Sequence, residues 1–335
     1  MIDLESMAQK AQELTLKHFG RTILLYVPLY LNNECDNECV YCGFTNDLSW
    51  KPRRSVAGFQ DSQVSKITLS VPEVLNEADL LYQKGFRHIL LVSGEKRDKI
   101  TIEYLKEIVS RLHEKFESIS LEIFPLSEDE YRILFEAGVD GLTIYQETYN
   151  RELYKKYHPK GAKADYDYRL ETPERAGQAG FYRLNIGTLL GLAPWQEEIQ
   201  ALAKHAAYLK KKFWRSQISI SFPRLKNSGS KFKPPYPVSD RDLVEMICRL
   251  RVLLPTVGLV VSTREPASLR DSLIPLGITQ MSAESKTSPG GYSNCLAKEQ
   301  FEVSDQRSVE EVMVAIGAKG YEPVFKDWDR AFIGG

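Results

Sequence analysis

Short apolar runs alternate with segments of helical periodicity along most of this chain. Eight runs rich in Ile, Leu, Val, Phe and Tyr are candidate strands, at residues 23–31, 88–95, 118–126, 141–149, 183–192, 217–225, 258–265 and 280–286. Most of them lack polar alternation, which is typical of strands covered on both faces. Between the strands, residues 71–84, 104–116 and 243–254 carry apolar side chains at helical spacing. The pattern predicts an α/β fold in which strands and helices alternate.

Glycine residues mark the ends of several predicted helices. Gly85, Gly138, Gly180 and Gly277 each follow a helical segment and precede a strand, in the position where a glycine commonly ends a helix. Eight strand–helix units match a closed (β/α)8 barrel of the TIM type in number and length. An open doubly wound sheet is the alternative, but the chain has no Gly-rich dinucleotide-binding turn after its first strand. We therefore predict the barrel.

The same pattern suggests a simple domain organisation. We expect residues 1–20 to form an amphipathic helix, residues 21–295 to form the barrel, and residues 296–335 to form a helix at 309–319 and a tail that pack on it. The largest irregular insert is 49–66, and 227–239 is a proline-rich loop. Neither segment interrupts the strand–helix alternation.

Composition and charge exclude several classes of protein. The 335 residues include 44 Lys and Arg against 45 Asp and Glu, for a formal net charge of -1. Such a chain lacks the basic surplus that attracts phosphate backbones, so we expect no nucleic-acid partner. No apolar run reaches the roughly 18 residues of a membrane span, and the first 20 residues lack the apolar centre of a signal peptide. We expect a cytoplasmic protein without a membrane anchor.

Three of the five cysteines lie within eight residues, in the loop after the first predicted strand. Cys35, Cys39 and Cys42 form a Cys-x3-Cys-x2-Cys array, whereas Cys248 and Cys295 are isolated. Three thiolates so close together can bind three corners of one iron–sulfur cube and leave the fourth iron open. A zinc site is the alternative, but it needs a fourth ligand and no His or Cys follows within forty residues. The array favours one [4Fe–4S] cluster.

The cysteine array, with Tyr41 inside it and Gly43-Phe44 behind it, resembles the signature of radical S-adenosylmethionine (radical SAM) enzymes. Later motifs narrow the resemblance to the aromatic amino acid lyase branch of that family, from about residue 20 to the end. They lie at residues 28–31, 90–95, 145–149, 168–173, 221–225, 262–265 and 282–292. Nearly all of them fall at C-terminal ends of predicted strands, the face on which a barrel assembles its active site.

The resemblance implies roles for individual residues. It implies a cluster bound by the three clustered cysteines and S-adenosylmethionine bound on the open iron. The residues that it places near the cofactor are Tyr41, Ser93, Gly94, Glu95, Glu147, Arg169, Arg175, Gly187 and Gly191, and those near the substrate are Ser262, Arg264, Ser282 and Ser285. Glu147 is expected to contact the ribose, and Ser262 with Arg264 the substrate carboxylate.

The residues alone leave some of these roles open. Salt bridges to Glu171 or Glu174 explain Arg169 and Arg175 equally well, and a salt bridge to Glu265 or a neighbour is the alternative for Arg264. We expect the isolated cysteine at position 248 to lie in the core. We also expect His88 and His158 to be structural, and we assign no acid–base role to His205.

Among the lyases, the chain is most similar to the tyrosine lyases of anaerobic thiamine synthesis. That resemblance implies cleavage of the Cα–Cβ bond of L-tyrosine to dehydroglycine and p-cresol, with reduced flavodoxin or ferredoxin as electron donor and thiazole synthase as partner. Two related lyases are alternatives. One cleaves tryptophan, and the other is the tyrosine lyase of hydrogenase maturation, whose second cluster would lack cysteines after Cys295 here. A non-catalytic iron–sulfur electron-transfer protein is the alternative from a different class.

Overall fold

A computed structural model describes residues 3–44, 66–225, 232–293, 297 and 299–326. The strands in these residues are β1 Thr22–Tyr30, β2 His88–Val92, β3 Ser118–Glu122, β4 Gly141–Glu147, β5 Arg183–Thr188, β6 Gln217–Ser221, β7 Gly258–Val261, β8 Gln280–Ser282 and β9 Glu322–Val324. The α-helices are α1 Leu4–Phe19, α2 Val71–Gln83, α3 Ile102–Leu112, α4 Glu128–Ala137, α5 Arg151–Tyr157, α6 Tyr166–Leu170, α7 Thr172–Gln178, α8 Trp195–Lys212, α9 Asp240–Leu253, α10 Ala267–Leu273 and α11 Val309–Ala318.

Strands β1 to β8 close into a parallel barrel. Each strand from β2 to β7 pairs with the next, and β1 pairs with both β8 and β2, so the sheet returns to its start. The prediction of a (β/α)8 barrel is therefore confirmed, and the open sheet is excluded. Because all eight strands run in one direction, their C-terminal ends meet around a single opening.

The observed strands all begin within one residue of their predicted starts, and all eight end before their predicted ends. The strand predicted over residues 183–192 ends at Thr188, for example, although the amides of the next two leucines still donate to the carbonyls of Glu147 and Pro223. Leu189 bends inward to line a cavity at the barrel's C-terminal end. Apolar residues therefore continue past each strand because the following loop is buried as well.

A ninth strand was not predicted. Strand β9 pairs in parallel with the first half of β1, at Thr22 to Leu24, whereas β2 pairs with β1 only from Val27 onward. Strand β9 therefore takes the place of β2 at the N-terminal end of the barrel. It escaped the sequence pattern because it has three residues and contains Pro323, which an edge strand tolerates.

Side chains of β1 alternate between two apolar clusters. Ile23, Leu25, Val27 and Leu29 belong to the main core, between the sheet and the surrounding helices. Tyr26 and Tyr30 point to the other side and pack with Leu90, Val92, Val260 and Phe44 inside the barrel. Cys35 and Cys42 pack against this inner cluster. The barrel interior therefore provides an apolar floor for the cysteine loop.

The segment before α11 holds the ends of β7 and β8 together. Asp305 forms an ion pair with Arg270, whose side chain is fully buried, and Arg270 also donates to the carbonyl of Ser282. The amide of Asp305 donates to the carbonyl of Thr263 at 3.0 Å. The amide and the buried carboxylate of Asp305, the latter through Arg270, thus connect the two strand ends from which the predicted substrate residues project.

Other predictions concern the ends of the chain and its inserts. No helix within the described ranges is long and apolar enough to cross a membrane. The predicted first and last helices are present as α1 and α11. The division into three domains stays a prediction. Most of the 49–66 insert, Cys295, the first part of the 227–239 loop and residues 327–335 lie outside the described residues.

Replacing Asp305 by Ala should strongly destabilise the protein, because it leaves the guanidinium of Arg270 buried without its partner. We expect a loss of about 3–5 kcal/mol in the free energy of unfolding, measured by urea titration. Asp271→Ala is the matched control, because Asp271 pairs with Arg307 at a partly exposed site. The free energy of unfolding of this variant should fall by less than about 1 kcal/mol. Equal losses in the two variants would show that the buried pair does not hold the strand ends.

Candidate functional site

The three clustered cysteines lie in the loop after β1 and line one cavity of about 130 Å³ at the C-terminal end of the barrel. Cys39 is buried, and Cys35 and Cys42 are partly buried. Two backbone contacts hold the loop in place: Asp36 N–H donates to the carbonyl of Glu95 at 2.8 Å, and Val40 N–H to that of Tyr157 at 3.2 Å. The loop is therefore fixed both to the end of β2 and to α5.

The environment of the thiols suits iron binding. Burial raises the pKa of Cys39 to about 12, and it also raises the pKa of Cys42. These thiols stay protonated until a metal displaces their protons, so iron binding releases protons. The side-chain amide of Asn37 lies 3.6 Å from the sulfur of Cys35, and the amide of Phe44 lies 3.4 Å from that of Cys42. Both donors would stabilise negative charge on ligating sulfur.

The arrangement also bears on the zinc alternative. Within the described residues, no group of three or more His, Cys, Asp or Glu side chains is close enough together to hold a single metal ion. The three thiols instead surround a cavity, as ligands of a larger cluster do. The donor set therefore fits an iron–sulfur cluster with three protein ligands.

The end of β2 forms one wall of this cavity. Gly94 packs so tightly against the cysteine loop that a Cβ there would lie 2.2 Å from the carbonyl oxygen of Glu34. The glycine is therefore needed for the approach of two protein segments. Glu95 is held by the amide of Asn37 at 2.8 Å. Within the described residues, the buried hydroxyl of Ser93 has no hydrogen-bond partner, so it is a polar atom of this wall that remains for a ligand.

Glu147 ends β4 in a conformation that L-residues rarely adopt. Its φ is 68°, next to an irregularity in the pairing of β4 with β5. The carboxylate oxygen Oε1 accepts from Lys163 Nζ at 2.6 Å and from Arg169 Nη2 at 3.3 Å. Burial favours the neutral acid, but the two cations outweigh it and hold the pKa of Glu147 below its ordinary value. A strained, charged residue at this position is typical of a functional site.

Lys163 was missed by the sequence analysis. It lies in the loop after α5, and its amide donates to the side-chain carbonyl of Asn37 at 2.8 Å. Its ammonium also lies 5.8 Å from the centre of the Tyr41 ring. A lysine in a polar loop carries no pattern in the sequence. Only the fold shows that it is buried beside the cysteines.

Tyr41 lines the cavity, but its hydroxyl is already occupied. It hydrogen-bonds to Nε2 of His158 at 2.7 Å. Burial lowers the pKa of His158 to about 3, so the imidazole is neutral. The structural role predicted for His158 therefore agrees with its contacts. His205 is similar, since it bonds to the hydroxyl of Tyr149 at 2.9 Å.

Three residues expected near the cofactor do not line the cavity. The guanidinium of Arg175 donates to the carbonyls of Leu126 and Tyr168, at 2.9 and 2.6 Å. Gly187 faces the backbone of β6, where a Cβ would lie 2.3 Å from the carbonyl oxygen of Ser221, and Gly191 packs against Pro234. The close approaches at these two glycines are to protein atoms. The contacts of all three residues are structural.

The four residues predicted near the substrate, Ser262, Arg264, Ser282 and Ser285, line a second cavity of about 50 Å³ that adjoins the first. The hydroxyl of Ser282 accepts from the amide of Thr263 at 3.1 Å, so it supports the loop. The buried hydroxyl of Ser285 has no hydrogen-bond partner among the described residues. Ser285, in the loop after β8, is therefore a serine that remains for a ligand.

Arg264 makes no ion pair with any described residue. Its guanidinium lies over the Phe301 ring, 3.3 Å from the ring centre. Glu265, the neighbour that might have neutralised it, is bound by Arg224, whose Nε lies 3.0 Å from both carboxylate oxygens. The salt-bridge alternative with Glu265 is therefore excluded. A planar cation faces the cavity with its carboxylate-binding edge uncommitted.

Two further parts of the walls were not predicted. Gln300 and Phe301 come from the segment before α11, and the hydroxyl of Tyr30 donates to the side-chain carbonyl of Gln300 at 2.8 Å. Glu122, the last residue of β3, lines both cavities. Glu122 could have been proposed as a site residue by analogy with Glu95 and Glu147, because these two glutamates also lie at the C-terminal ends of strands.

Comparison with known proteins agrees with this geometry. Residues 29–206 match the Radical SAM superfamily, and residues 221–322 match the Biotin and Thiamin Synthesis associated domain. The 2-iminoacetate synthases of Escherichia coli (strain K12) and Salmonella typhimurium (strain LT2) are 41% and 40% identical to this chain, over 97% of its length and 83% of theirs.

Solved structures show the same fold. The FeFe-hydrogenase maturase HydG from Carboxydothermus hydrogenoformans matches with a TM-score of 0.87 and 34% identity, covering 97% of this chain and 72% of that one. Methylornithine synthase (PylB) matches with a TM-score of 0.74 at 17% identity, covering 96% of this chain and 89% of that one. The second match supports the fold alone.

Replacing Cys39 by Ala should abolish cluster assembly, because it removes the most buried of the three ligands. We expect iron to fall from about four atoms per chain to near zero after anaerobic reconstitution, with loss of the brown colour. Equivalent changes at Cys35 and Cys42 should have the same effect. Cys248→Ala is the control, since Cys248 is buried in α9, and it should keep its iron. A Cys39 variant with full iron content would contradict the assignment.

Replacing Lys163 by Met should make the fold more sensitive to acid. Because the pKa of Glu147 is lowered in the folded protein, its ion pairs stabilise the fold above the ordinary carboxyl range, and this contribution disappears as pH falls through the folded pKa. Without Lys163 the folded pKa is higher, so the acid-side loss of stability should begin at higher pH. At neutral pH the variant should lose about 3 kcal/mol.

Urea unfolding between about pH 3 and pH 7 measures both effects. Lys160→Met is the matched control, because its exposed ammonium pairs with the partly exposed Glu38. The control should lose less than about 1 kcal/mol at neutral pH. Superimposable pH profiles for the two variants would rule out the role given to Lys163.

Proposed function

We propose a specific reaction for this chain, which belongs to the radical SAM superfamily and, within it, to the family of the 2-iminoacetate synthases. The reaction is cleavage of the Cα–Cβ bond of L-tyrosine to 2-iminoacetate and p-cresol. One observation carries the choice of substrate class: the unpaired guanidinium of Arg264 faces a cavity that adjoins the cavity of the cysteines. An amino acid carboxylate is the natural partner of that cation.

The residues at the site fit the family's cofactors. Cys35, Cys39 and Cys42 would hold a [4Fe–4S] cluster, and S-adenosylmethionine would occupy the remaining space of the first cavity. When bound, the reduced cluster and S-adenosylmethionine supply a 5'-deoxyadenosyl radical that removes a hydrogen atom from the substrate. The cofactor residues face this space with the open hydroxyl of Ser93 and a carboxylate of Glu147.

Glu147 can receive a hydroxyl without losing its ion pairs. Both cations, Lys163 and Arg169, bond to Oε1, and no described residue hydrogen-bonds to Oε2. A carboxylate oxygen that is open to the cavity accepts hydroxyl protons, and the ribose of S-adenosylmethionine carries two hydroxyls. This geometry supports the assignment of Glu147 to the ribose.

The remaining task of the protein is positioning. A radical of this kind reacts with the nearest hydrogen, so the chain must fix the substrate relative to the cofactor and keep water out. Arg264 would hold the carboxylate, with Ser262 and the open hydroxyl of Ser285 beside it. Phe301 covers the guanidinium and excludes water from one side. These contacts would place the substrate at the junction of the two cavities.

We further propose two partners. Reduced flavodoxin or ferredoxin would supply the electron, and thiazole synthase would receive 2-iminoacetate directly, because an imine of this kind hydrolyses in water. Residues 321–335 carry four aromatic side chains among charged ones, so this segment is a candidate for docking or, equally, for capping the barrel; residues 327–335 lie outside the described residues. Copurification with thiazole synthase, before and after deletion of residues 326–335, would test the second proposal.

Product analysis tests the reaction itself. Anaerobically reconstituted protein, given reductant and S-adenosylmethionine, should form p-cresol from tyrosine and no corresponding product from tryptophan. Cyanide and carbon monoxide in place of 2-iminoacetate would favour the hydrogenase-maturation reaction. The absence of 5'-deoxyadenosine under all these conditions would support the non-catalytic alternative and overturn the proposal.

Replacing Arg264 by Lys should impair the use of tyrosine without affecting the cofactors. Lysine keeps the charge but loses the planar pair of donors that matches a carboxylate. We expect the kcat/KM for tyrosine to fall about ten- to a hundredfold, while iron content and uncoupled cleavage of S-adenosylmethionine stay near wild-type levels. Arg224→Lys is no suitable control, because Arg224 holds Glu265; Lys319→Arg, at the exposed end of α11, should change nothing. Wild-type tyrosine kinetics in the Arg264 variant would exclude its role.

A further inference from the structure

The junction of the two cavities carries two opposite charges. The residues that line both cavities are Val92, Glu122, Tyr145, Arg264 and Phe301. Among these shared wall residues, Glu122 and Arg264 are the charged ones. A cation and an anion at one junction, framed by aromatic and aliphatic side chains, are complementary to a zwitterion with an aromatic side chain.

Glu122 differs from the other carboxylates of the site because it has no bonding partner. The other acidic residues of the two walls are engaged: Glu95 with Asn37, Glu147 with Lys163 and Arg169, and Glu265 with Arg224. In the part of the chain that the structure describes, no hydrogen bond or ion pair reaches the carboxylate of Glu122. An unpaired carboxylate in a shielded place is unfavourable unless a ligand neutralises it.

The pKa of Glu122 is consistent with a carboxylate that is poorly compensated by the protein. Burial raises the pKa of Glu122 to about 7. Arg264 opposes this rise most strongly, while the charge of Glu147 adds to it and Lys163 and Arg169 oppose it. Glu122 and Arg264 both line the junction, so the cation of Arg264 lies near the carboxylate. A ligand whose carboxylate binds Arg264 would therefore bring a neighbouring amino group toward Glu122.

We propose that Glu122 binds the α-ammonium group of the amino acid substrate and accepts one of its protons. This proposal rests on the proposed function, in which a hydrogen atom is later removed from that amino group. The proton leaves nitrogen as the O–H bond of Glu122 forms, and the electron pair of the broken N–H bond stays on nitrogen. The transfer therefore needs no oxidant or reductant, and it produces a neutral amine.

Deprotonation has a clear purpose for the reaction. Loss of a hydrogen atom from an ammonium group would leave an electron-poor nitrogen with a positive charge, whereas loss from a neutral amine leaves a neutral radical. An α-amino group at a peptide terminus has a pKa near 8, and that of a bound amino acid should be similar once its carboxylate is paired with Arg264. Burial raises the pKa of the half-buried Glu122 to about 7, so a proton can pass between the two groups at little cost. A fully exposed carboxylate would be too weak a base for this step.

Binding of tyrosine and two analogues tests the proposal on the holoenzyme, reconstituted with cluster and S-adenosylmethionine but without reductant. The analogue 3-(4-hydroxyphenyl)propionate lacks the amino group, and tyramine lacks the carboxylate. Glu122→Gln keeps the size of the side chain but removes its charge. This change should weaken the binding of tyrosine and tyramine about ten- to a hundredfold, and it should leave the affinity for the propionate within about twofold of the wild-type value. Arg264→Lys should weaken the binding of tyrosine and the propionate but leave the binding of tyramine unchanged.

Turnover gives a second readout. At saturating tyrosine, Glu122→Gln should also lower the kcat for p-cresol, because an amide accepts no proton, whereas Glu122→Asp should restore part of it. Glu103→Gln is the matched control, since Glu103 is exposed on α3, and it should behave like the wild type. Iron content and circular dichroism verify that each variant is folded and loaded.

The outcomes separate this proposal from the proposed function. If wild-type protein makes p-cresol and Glu122→Gln binds all three ligands as the wild type does, or loses all three equally, Glu122 does not recognise the amino group. If wild-type protein binds tyrosine but makes no p-cresol, the proposed reaction fails, while the ligand series still decides the role of Glu122 in binding. Loss of binding with an unchanged kcat would retain the contact and overturn the proton transfer.

Discussion

Buried charge at the ends of parallel strands is the constraint on which this site depends. Barrel closure brings those ends around one opening, and the loops that cover it remove much of the water that would otherwise solvate the side chains. Each charged group then needs a partner. Lys163 and Arg169 meet this need for Glu147, and Arg224 meets it for Glu265. Within the described residues, the side chains of Arg264 and Glu122 have no hydrogen-bond or ion-pair partner, so both remain available to a ligand.

The cysteine loop is subject to the same requirement, because charge on its buried sulfur atoms also needs partners. Burial raises the pKa of the Cys39 and Cys42 thiols, and the donors near the sulfur atoms of the loop come from its own residues, Asn37 and Phe44. Asn37 also receives the amide of Lys163 and donates to Glu95. One amide side chain therefore links the cluster loop, the end of β2 and the lysine beside Glu147. A substitution in the cysteine loop, at the end of β2 or at Lys163 should therefore disturb the other two.

Periodicity and spacing predicted the barrel, the cysteine ligands and the strand ends that carry the site. These features depend on local patterns, since a buried parallel strand and a short array of thiols are visible in the sequence itself. Lys163, Gln300 and Phe301 were not predictable, because they reach the cavities through loops whose course depends on tertiary packing. The cofactor role of Gly187 stays a prediction. A glycine in a strand indicates a close approach, but the sequence does not show whether a ligand or protein backbone is the neighbour.

The arrangement of β7, β8 and the segment before α11 explains how substrate recognition can be rigid in a site built on loops. Thr263 lies between Ser262 and Arg264; its amide is held by Ser282, and its carbonyl accepts from the amide of Asp305. Asp305 in turn pairs with Arg270, which bonds to the carbonyl of Ser282. The loop that presents Arg264 is thus held on both sides by buried polar contacts. A reaction that depends on which hydrogen lies nearest to a radical requires this kind of fixed support.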